Sequence, residues 1–312
     1  YMNIMIYQLS LILLSLGILI ASADQLINQA DAIARKFNFS QVLIGLTVVA
    51  FGTSAPELMV SLSAALFETP PASDAIIGNI IGSNIANLLL VLGVTGMLYN
   101  VSFESIDIKT NFYLFLATAY LIIIFSVSSN IGWLHSFIFL IILIFFINHL
   151  KNFSPNNEAI ALESNVSLIK LTLSFIGFFI GGKLFLSESL EFFSSLGIAH
   201  TVIGLTVLAL GTSLPELITL LIAALKKKGA MGIGNIIGSN IMNILFVLFP
   251  SIIIVQIRGF NFSSLNIHSN DLILLAMSTS VIIILGLTKK SLSRVLSIVF
   301  VLSYLIYIYR LF

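Results

Sequence analysis

Two stretches of this chain are copies of each other, and that duplication constrains the fold more than any other feature. Residues 45–66, GLTVVAFGTSAPELMVSLSAAL, align without gaps on residues 204–225, GLTVLALGTSLPELITLLIAAL, with 15 of 22 positions identical. Residues 78–92, GNIIGSNIANLLLVL, align in the same way on 234–248, GNIIGSNIMNILFVL, with 12 of 15 identical. Self-similarity of this length marks an internal duplication. Both copies are apolar, and so is their surrounding: the chain is 58% hydrophobic and 9% charged, too few charges to clothe a surface facing water. Its apolar runs approach the roughly 20 residues that cross a bilayer as a helix.

Division at polar and turn-rich points gives ten candidate spans, roughly 5–30, 41–67, 75–99, 110–128, 131–150, 167–190, 201–225, 231–257, 270–287 and 292–311. The longest polar interruption, Lys151 to Ser167, contains Pro155, Asn156, Asn157, Glu158 and Glu163 and separates five spans from five. The expected organisation is a first five-helix repeat over 1–150 (motif 45–92), a cytoplasmic linker over 151–166, and a second repeat over 167–312 (motif 204–248). With the N-terminus outside, the cytoplasmic side receives Arg35, Lys36, Lys109, Lys151, Lys170, Lys226, Lys227, Lys228, Lys289, Lys290 and Arg294. The outside receives only Lys183, Arg258 and Arg310. Positive charge collects on the cytoplasmic side of membrane proteins, so both termini are expected outside. Five spans per repeat turn the second copy upside down. The expected fold is therefore an all-α membrane protein of ten transmembrane helices in two inverted five-helix repeats, the plan of secondary transporters with a substrate site near midplane.

Several classes fall away. Residues 9–20 followed by Ala21-Ser22-Ala23 imitate a cleaved signal peptide, but no Lys or Arg precedes them. The absence of Cys removes disulfides and thiolate metal sites. A formal net charge of +1 with no large basic block gives no case for nucleic acid. No HExxH, no Ser/His pairing within a span and no nucleotide motif suggests an enzyme.

The chemistry lies within the copies. Each places Gly-Thr-Ser-x-Pro-Glu in mid-span: Gly52, Thr53, Ser54, Pro56 and Glu57, then Gly211, Thr212, Ser213, Pro215 and Glu216. Proline has no N–H, so the carbonyl four residues back, that of Gly52 or Gly211, loses its helical donor. Such groups persist inside a bilayer only where protein, water or an ion satisfies them. A carboxylate at the centre of an apolar span costs at least about 2.5–3.5 kcal/mol, and neither span carries Lys or Arg in its apolar body. The missing partner is then a proton or a bound cation, and two carboxylates with one divalent cation make a neutral site. Thr53 and Glu57 share a helical face, as do Thr212 and Glu216; Ser54 and Ser213 lie on the neighbouring arc. The second motifs add Ser83 and Asn87, and Ser239 and Asn243, again four apart. An all-oxygen set suits hard cations such as Ca²⁺ and Na⁺. Gly78, Gly82, Gly234 and Gly238 read as close-packing positions rather than ligands.

GTSAPE and GTSLPE, each followed by GNIIGSNIxN, resemble the two alpha repeats of the cation/Ca²⁺ exchanger superfamily, nearest to its prokaryotic Na⁺/Ca²⁺ exchangers. The likeness runs over essentially the whole chain. It implies a Na⁺/Ca²⁺ antiporter working by alternating access, multi-pass in a prokaryotic plasma (inner) membrane, with Ca²⁺ and Na⁺ as substrates, no cofactor and no obligate protein partner. It also implies a Ca²⁺ site from Glu57, Glu216, Thr53 and Thr212. Na⁺ sites would overlap it, drawing on Ser54, Ser83, Ser213, Ser239 and the carbonyls of Ala50 and Ala209, with Asn87 and Asn243 completing the donor set. Spans 1 and 6 would move against a fixed core. One departure stands out: archaeal members carry Asp where this chain has Asn243, so the centre holds one acid fewer. Potassium-dependent relatives carry Asp where Glu216 stands, and the proton-coupled branch carries Gly-Asn-x-x-Glu. The alternative on the same fold is a H⁺- or K⁺-coupled antiporter of Ca²⁺ or another divalent cation; a passive cation channel is a further one.

His135, His149, His200 and His268 lie near span ends without metal-ligand spacing and read as interfacial. Lys226-Lys227-Lys228 reads as an orientation signal, and Asp24 and Lys183, at equivalent positions of the two repeats, are expected too far apart to pair.

Overall fold

A computed structural model describes residues 2–127, 131–151, 166–196, 200–262 and 269–310, without the side chains of 2–4 and 200–210. Apolar runs in which every backbone N–H must find an internal partner fold as helices, and the described chain is almost entirely helical. Helix α1 (Met2–Lys36) is followed by α2 (Gln41–Ile44), a π-helical turn (Gly45–Val49) and α3 (Ala50–Thr53). The chain then bends by 44° into α4 (Ala55–Leu66). Helix α5 (Ser73–Ile85) continues through a π-helical stretch (Ala86–Val91) into α6 (Leu92–Leu98). After a short strand β1 (Val101–Ser102) come α7 (Ile108–Val127) and α8 (Trp133–Lys151).

Beyond residue 165, α9 (Leu168–Ser195) and α10 (His200–Leu225) precede α11 (Gly229–Met242). A third π-helical turn (Asn243–Val247) leads into α12 (Leu248–Ile257), then α13 (Ser269–Thr288). Strand β2 (Ser291–Leu292) pairs antiparallel with β1, and α14 (Arg294–Arg310) follows. Among the described residues seven helices are long and apolar enough to cross a membrane, and an eighth if the bent pair Gln41–Thr53 and Ala55–Leu66 counts as one span.

The two copies of the duplicated motif meet in the interior. Glycine lets the backbones of their crossing helices touch: a Cβ added at Gly45 would stand 2.2 Å from the Met231 carbonyl oxygen, and one at Gly234 2.5 Å from that of Val42. Gly238 is held a little less closely, with a Cβ there 2.8 Å from Leu46 and Ala50. The close-packing role expected of the motif glycines thus holds for Gly234 and Gly238, whereas Gly78 and Gly82 meet no described atom within 4 Å. The main apolar core gathers around α5, α6, α11 and α12, with Ile80, Ile85, Leu88, Ile237, Ile241 and Leu245 at its centre. Helices α1 and α9 lie side by side, with Gly177 against Ser22 and Gly181 against Leu19. They carry a second cluster of their own, including Leu19, Leu26 and Phe178. Large apolar side chains outside the core, such as Leu13, Phe115, Phe145, Leu173 and Ile284, face outward, as expected where the solvent is lipid.

Candidate functional site

Glu57 stands in the first turn of α4, just past the break at Ser54, whose ψ of 2° ends α3. Pro56 belongs to the first turn of the new helix, where its missing N–H costs nothing. The second copy behaves differently. Pro215 lies inside an uninterrupted α10, so the two prolines, which remove equivalent helical donors, coincide with a helix break in the first copy only. A proline inside a helix removes one hydrogen bond and crowds the preceding turn, yet α10 continues as helix on both sides of Pro215.

Both carboxylates are fully buried, with 0% exposure for Glu57 and for Glu216. They lie near enough for their charges to interact, with Ser83 beside Glu57 and with Thr53 and Ser239 beside Glu216. None of their four oxygens accepts a hydrogen bond that closes geometrically. Around them the hydroxyls pair across the two copies. Thr53 Oγ1 lies 3.2 Å from Ser239 Oγ, and Ser83 Oγ lies 3.3 Å from Thr212 Oγ1. Thr53 also donates to Asn235 Oδ1 at 3.0 Å, which Ser239 shares at 3.4 Å. Asn243 Nδ2 donates to Asn84 Oδ1 at 3.3 Å.

Of the residues singled out in the sequence, Thr53, Ser54, Glu57, Ser83, Asn87, Thr212, Ser213, Glu216, Ser239 and Asn243 are all buried, and those with side-chain contacts above meet at the crossing of the two motifs. Ser54 Oγ, Ser213 Oγ and both polar atoms of Asn87 have no hydrogen-bond partner. Buried polar atoms normally find one, and a cluster of orphans around two carboxylates marks a place for something that supplies charge and coordination. Ala50 is buried at the start of α3, and its carbonyl accepts from Ser54 N at 3.0 Å. The expected contribution of Ala209 falls within 200–210, outside the described side chains.

Two asparagines of the site were passed over in the sequence. Asn79 Nδ2 donates to the Glu57 carbonyl and to Ser61 Oγ, both at 3.0 Å, and Asn235 holds Thr53. The signal was present: Asn79, Ser83 and Asn87 repeat every four residues, as do Asn235, Ser239 and Asn243, so each set forms one polar stripe on one helix. Two of the three π-helical stretches open beside these stripes, at Ala86–Val91 and Asn243–Val247. Such widened turns concentrate at functional sites.

A cavity of about 480 Å³ opens beside the crossing, lined among others by Pro56, Glu68, Phe179, Lys183, Gly211 and Thr212. Among the described residues no group of three or more His, Asp or Glu side chains forms a resident metal centre. His149 pairs with Asp107 at 3.2 Å and stacks on Tyr113, and His135 Nδ1 accepts from Gly132 N at 3.2 Å, both away from the carboxylates. His200 and His268 lie outside the described side chains.

The likeness to known proteins agrees with this geometry. The family model described as sodium/calcium exchanger protein matches residues 7–150 and 166–312. A sodium/calcium exchanger of Methanosarcina acetivorans, MaX1, is 34% identical over 284 residues, 76% of this chain and 80% of that protein. A putative antiporter of Alkalimonas amylolytica, CaxA, is 36% identical over 254 residues, 76% of this chain and 77% of that one. The solved structure of the sodium-calcium exchanger NCX_Mj soaked with Na⁺ and Sr²⁺ superimposes with a TM-score of 0.79 at 30% identity, covering 96% of this chain and 97% of that one. With the duplicated motif folded into one buried oxygen-lined crossing, this chain belongs to the sodium/calcium exchanger family of membrane proteins.

Proposed function

We propose that the protein is a secondary antiporter that exchanges Na⁺ for Ca²⁺ by alternating access, spanning a prokaryotic plasma membrane ten times in two inverted repeats. The carrying observation is the pair Glu57 and Glu216, both fully buried and near enough for their charges to interact, with four carboxylate oxygens that no hydrogen bond closes upon. Two carboxylates and one Ca²⁺ sum to zero charge, which offsets the cost of burying either acid alone. Thr53 and Thr212 supply further oxygens to Ca²⁺. Na⁺ ions take overlapping positions among Ser54, Ser83, Asn87, Ser213, Ser239 and Asn243, with the carbonyls of Ala50 and Ala209. Because the two ions share ligands, each displaces the other, and coupling follows from that competition.

Asparagine at both Asn87 and Asn243 leaves the centre with two acids, enough for one divalent cation without a further monovalent co-ion. This favours plain Na⁺ coupling over K⁺ dependence. Proteoliposomes loaded with Na⁺ and diluted into Na⁺-free medium should accumulate Ca²⁺ against its gradient. Uptake that follows a pH gradient instead, that requires added K⁺, or that never exceeds passive equilibration would overturn the assignment in favour of a proton-coupled carrier, a potassium-dependent carrier or a channel.

A further inference from the structure

Charged residues beside the two copies form a second, charge-reversed correspondence. Asp24 stands 21 residues before the first motif, at Gly45, and Lys183 stands 21 residues before the second, at Gly204. After the first motif the chain continues Phe67-Glu68, and after the second Lys226-Lys227, so Glu68 aligns with Lys227, the residue next to Lys226. Acid on α1 and base after α10 are thus matched by base on α9 and acid after α4.

The two sets are in different states. Lys226 Nζ binds Asp24 Oδ1 at 2.6 Å, the Asp24 carbonyl at 3.3 Å and Asn28 Oδ1 at 2.7 Å. Asn28 in turn donates to Asp24 Oδ2 at 3.0 Å, and Lys228 pairs with Asp31 one turn further along α1. This end of α1 is tied to the end of α10. Glu68 and Lys183, in contrast, line the same open cavity of about 480 Å³ beside Thr212, and no ion pair joins them among the described residues. The turn just after α4 that carries Glu68 is itself held: Arg258 donates to the carbonyls of Ala65 (2.6 Å) and Glu68 (2.8 Å). Lys183 sits on α9, which is packed with α1 as a layer with its own apolar cluster.

We propose that Asp24–Lys226 and Glu68–Lys183 are alternating latches, one made and one open in the present conformation. Movement of the α1/α9 layer against the motif core would break the first pair and bring Lys183 onto Glu68, closing the cavity that leads to Thr212. Lys226 and Lys228 then do more than orient the chain: they set how readily the layer leaves this conformation. The inference rests on the alternating-access reading above and adds to it the residues that hold each end state.

The chain contains no Cys, so a double substitution Glu68→Cys and Lys183→Cys introduces the only thiols. The full-length variant is reconstituted in proteoliposomes, with exchange followed before oxidation with copper phenanthroline, after it, and after reduction. Disulfide formation should arrest Na⁺-driven Ca²⁺ uptake, and reduction should restore it. Adding Lys226→Gln should speed cross-linking about two- to five-fold, the population shift that follows from losing a partly exposed ion pair. The charge swap Asp24→Lys with Lys226→Asp should return the rate toward that of the parent. If the reduced variant exchanges ions but forms no cross-link, or cross-links at a rate indifferent to Lys226→Gln, the latch is overturned and antiport stands. If wild-type vesicles show no exchange, antiport itself falls and the latch with it.

Discussion

Thr53 Oγ1 and Ser239 Oγ, 3.2 Å apart, join the end of α3 to the last turn of α11 and so tie the first motif of one copy to the second motif of the other. Ser83 and Thr212 repeat the contact with the copies exchanged, at 3.3 Å. Each hydroxyl pair therefore couples both halves of the chain, and each stands next to a buried carboxylate contributed by α4 or α10. A cation held there would touch groups from both copies, which is the condition for binding to bias how the copies sit against one another.

Thr53→Ala and Ser239→Ala should not act independently. Each removes an oxygen proposed to bind the ion and leaves the other hydroxyl short of a partner, so the double variant should lose less Na⁺ affinity than the two single losses combined. A coupling of about 0.5–3 kcal/mol in a double-mutant cycle on Na⁺ affinity is expected for residues in one network. Strict additivity would show that the two hydroxyls do not share an ion.

Saturating Ca²⁺ should raise the thermal stability of the purified wild-type protein, since a ligand at 100 times its Kd contributes roughly 2.7 kcal/mol to the folded state. Glu216→Gln should abolish that increment while melting no lower than the wild type without ions, because a buried amide is easier to accommodate than a buried carboxylate. The check is a pair of unfolding curves with and without Ca²⁺. A Glu216→Gln protein that still gains the full increment would take Glu216 out of the site.

Much of this was legible in the sequence, and the reasons are local. The apolar runs and the Gly-Thr-Ser-x-Pro-Glu spacing can be read within a single span and the duplication by matching one stretch of the chain on another, and Glu57 and Glu216 stand out because hydrocarbon makes their presence costly. The failures are of two kinds. Pro56 and Pro215 look alike in sequence, yet only the first coincides with a helix break, which lies in the backbone at Ser54 (ψ 2°) and is not dictated by the proline itself. Lys226 and Lys228 read as a simple charge run because their partners, Asp24, Asn28 and Asp31, lie about 200 positions away. Asn79 and Asn235 can be read from the four-residue spacing of their polar stripes, but carry no charge to single them out.

Gly45→Ala should be among the most damaging conservative changes in the chain. Its added methyl would stand 2.2 Å from the Met231 carbonyl, a backbone atom that cannot swing away. Forcing the crossing apart should cost about 1–3 kcal/mol and loosen the carboxylate pair as well. A lowered melting temperature together with weakened Ca²⁺ binding is expected; loss of neither would mean that the crossing relaxes freely.

Arg258→Ala removes the guanidinium that caps α4, with its hydrogen bonds to Ala65, Glu68 and Thr69. A loss of about 1.5–3 kcal/mol is expected for hydrogen bonds to a charged group. Lysine should restore only part of it, because an ammonium lacks the fork that reaches three acceptors. Melting curves of the alanine and lysine variants test this, and equal loss in both would show that geometry at this cap is unimportant.

The most direct test of the central claim is equilibrium binding of radioactive Ca²⁺ to purified wild-type protein, to Glu57→Gln and to Glu216→Gln, each titrated with Na⁺. The wild type should bind Ca²⁺ and release it as Na⁺ rises, with K⁺ ineffective, and either amide should weaken Ca²⁺ binding by on the order of 100-fold or more, as expected for removing one partner of a buried charge set. Wild-type affinity retained in both variants, or Ca²⁺ that Na⁺ fails to displace, would contradict a shared site between the two glutamates.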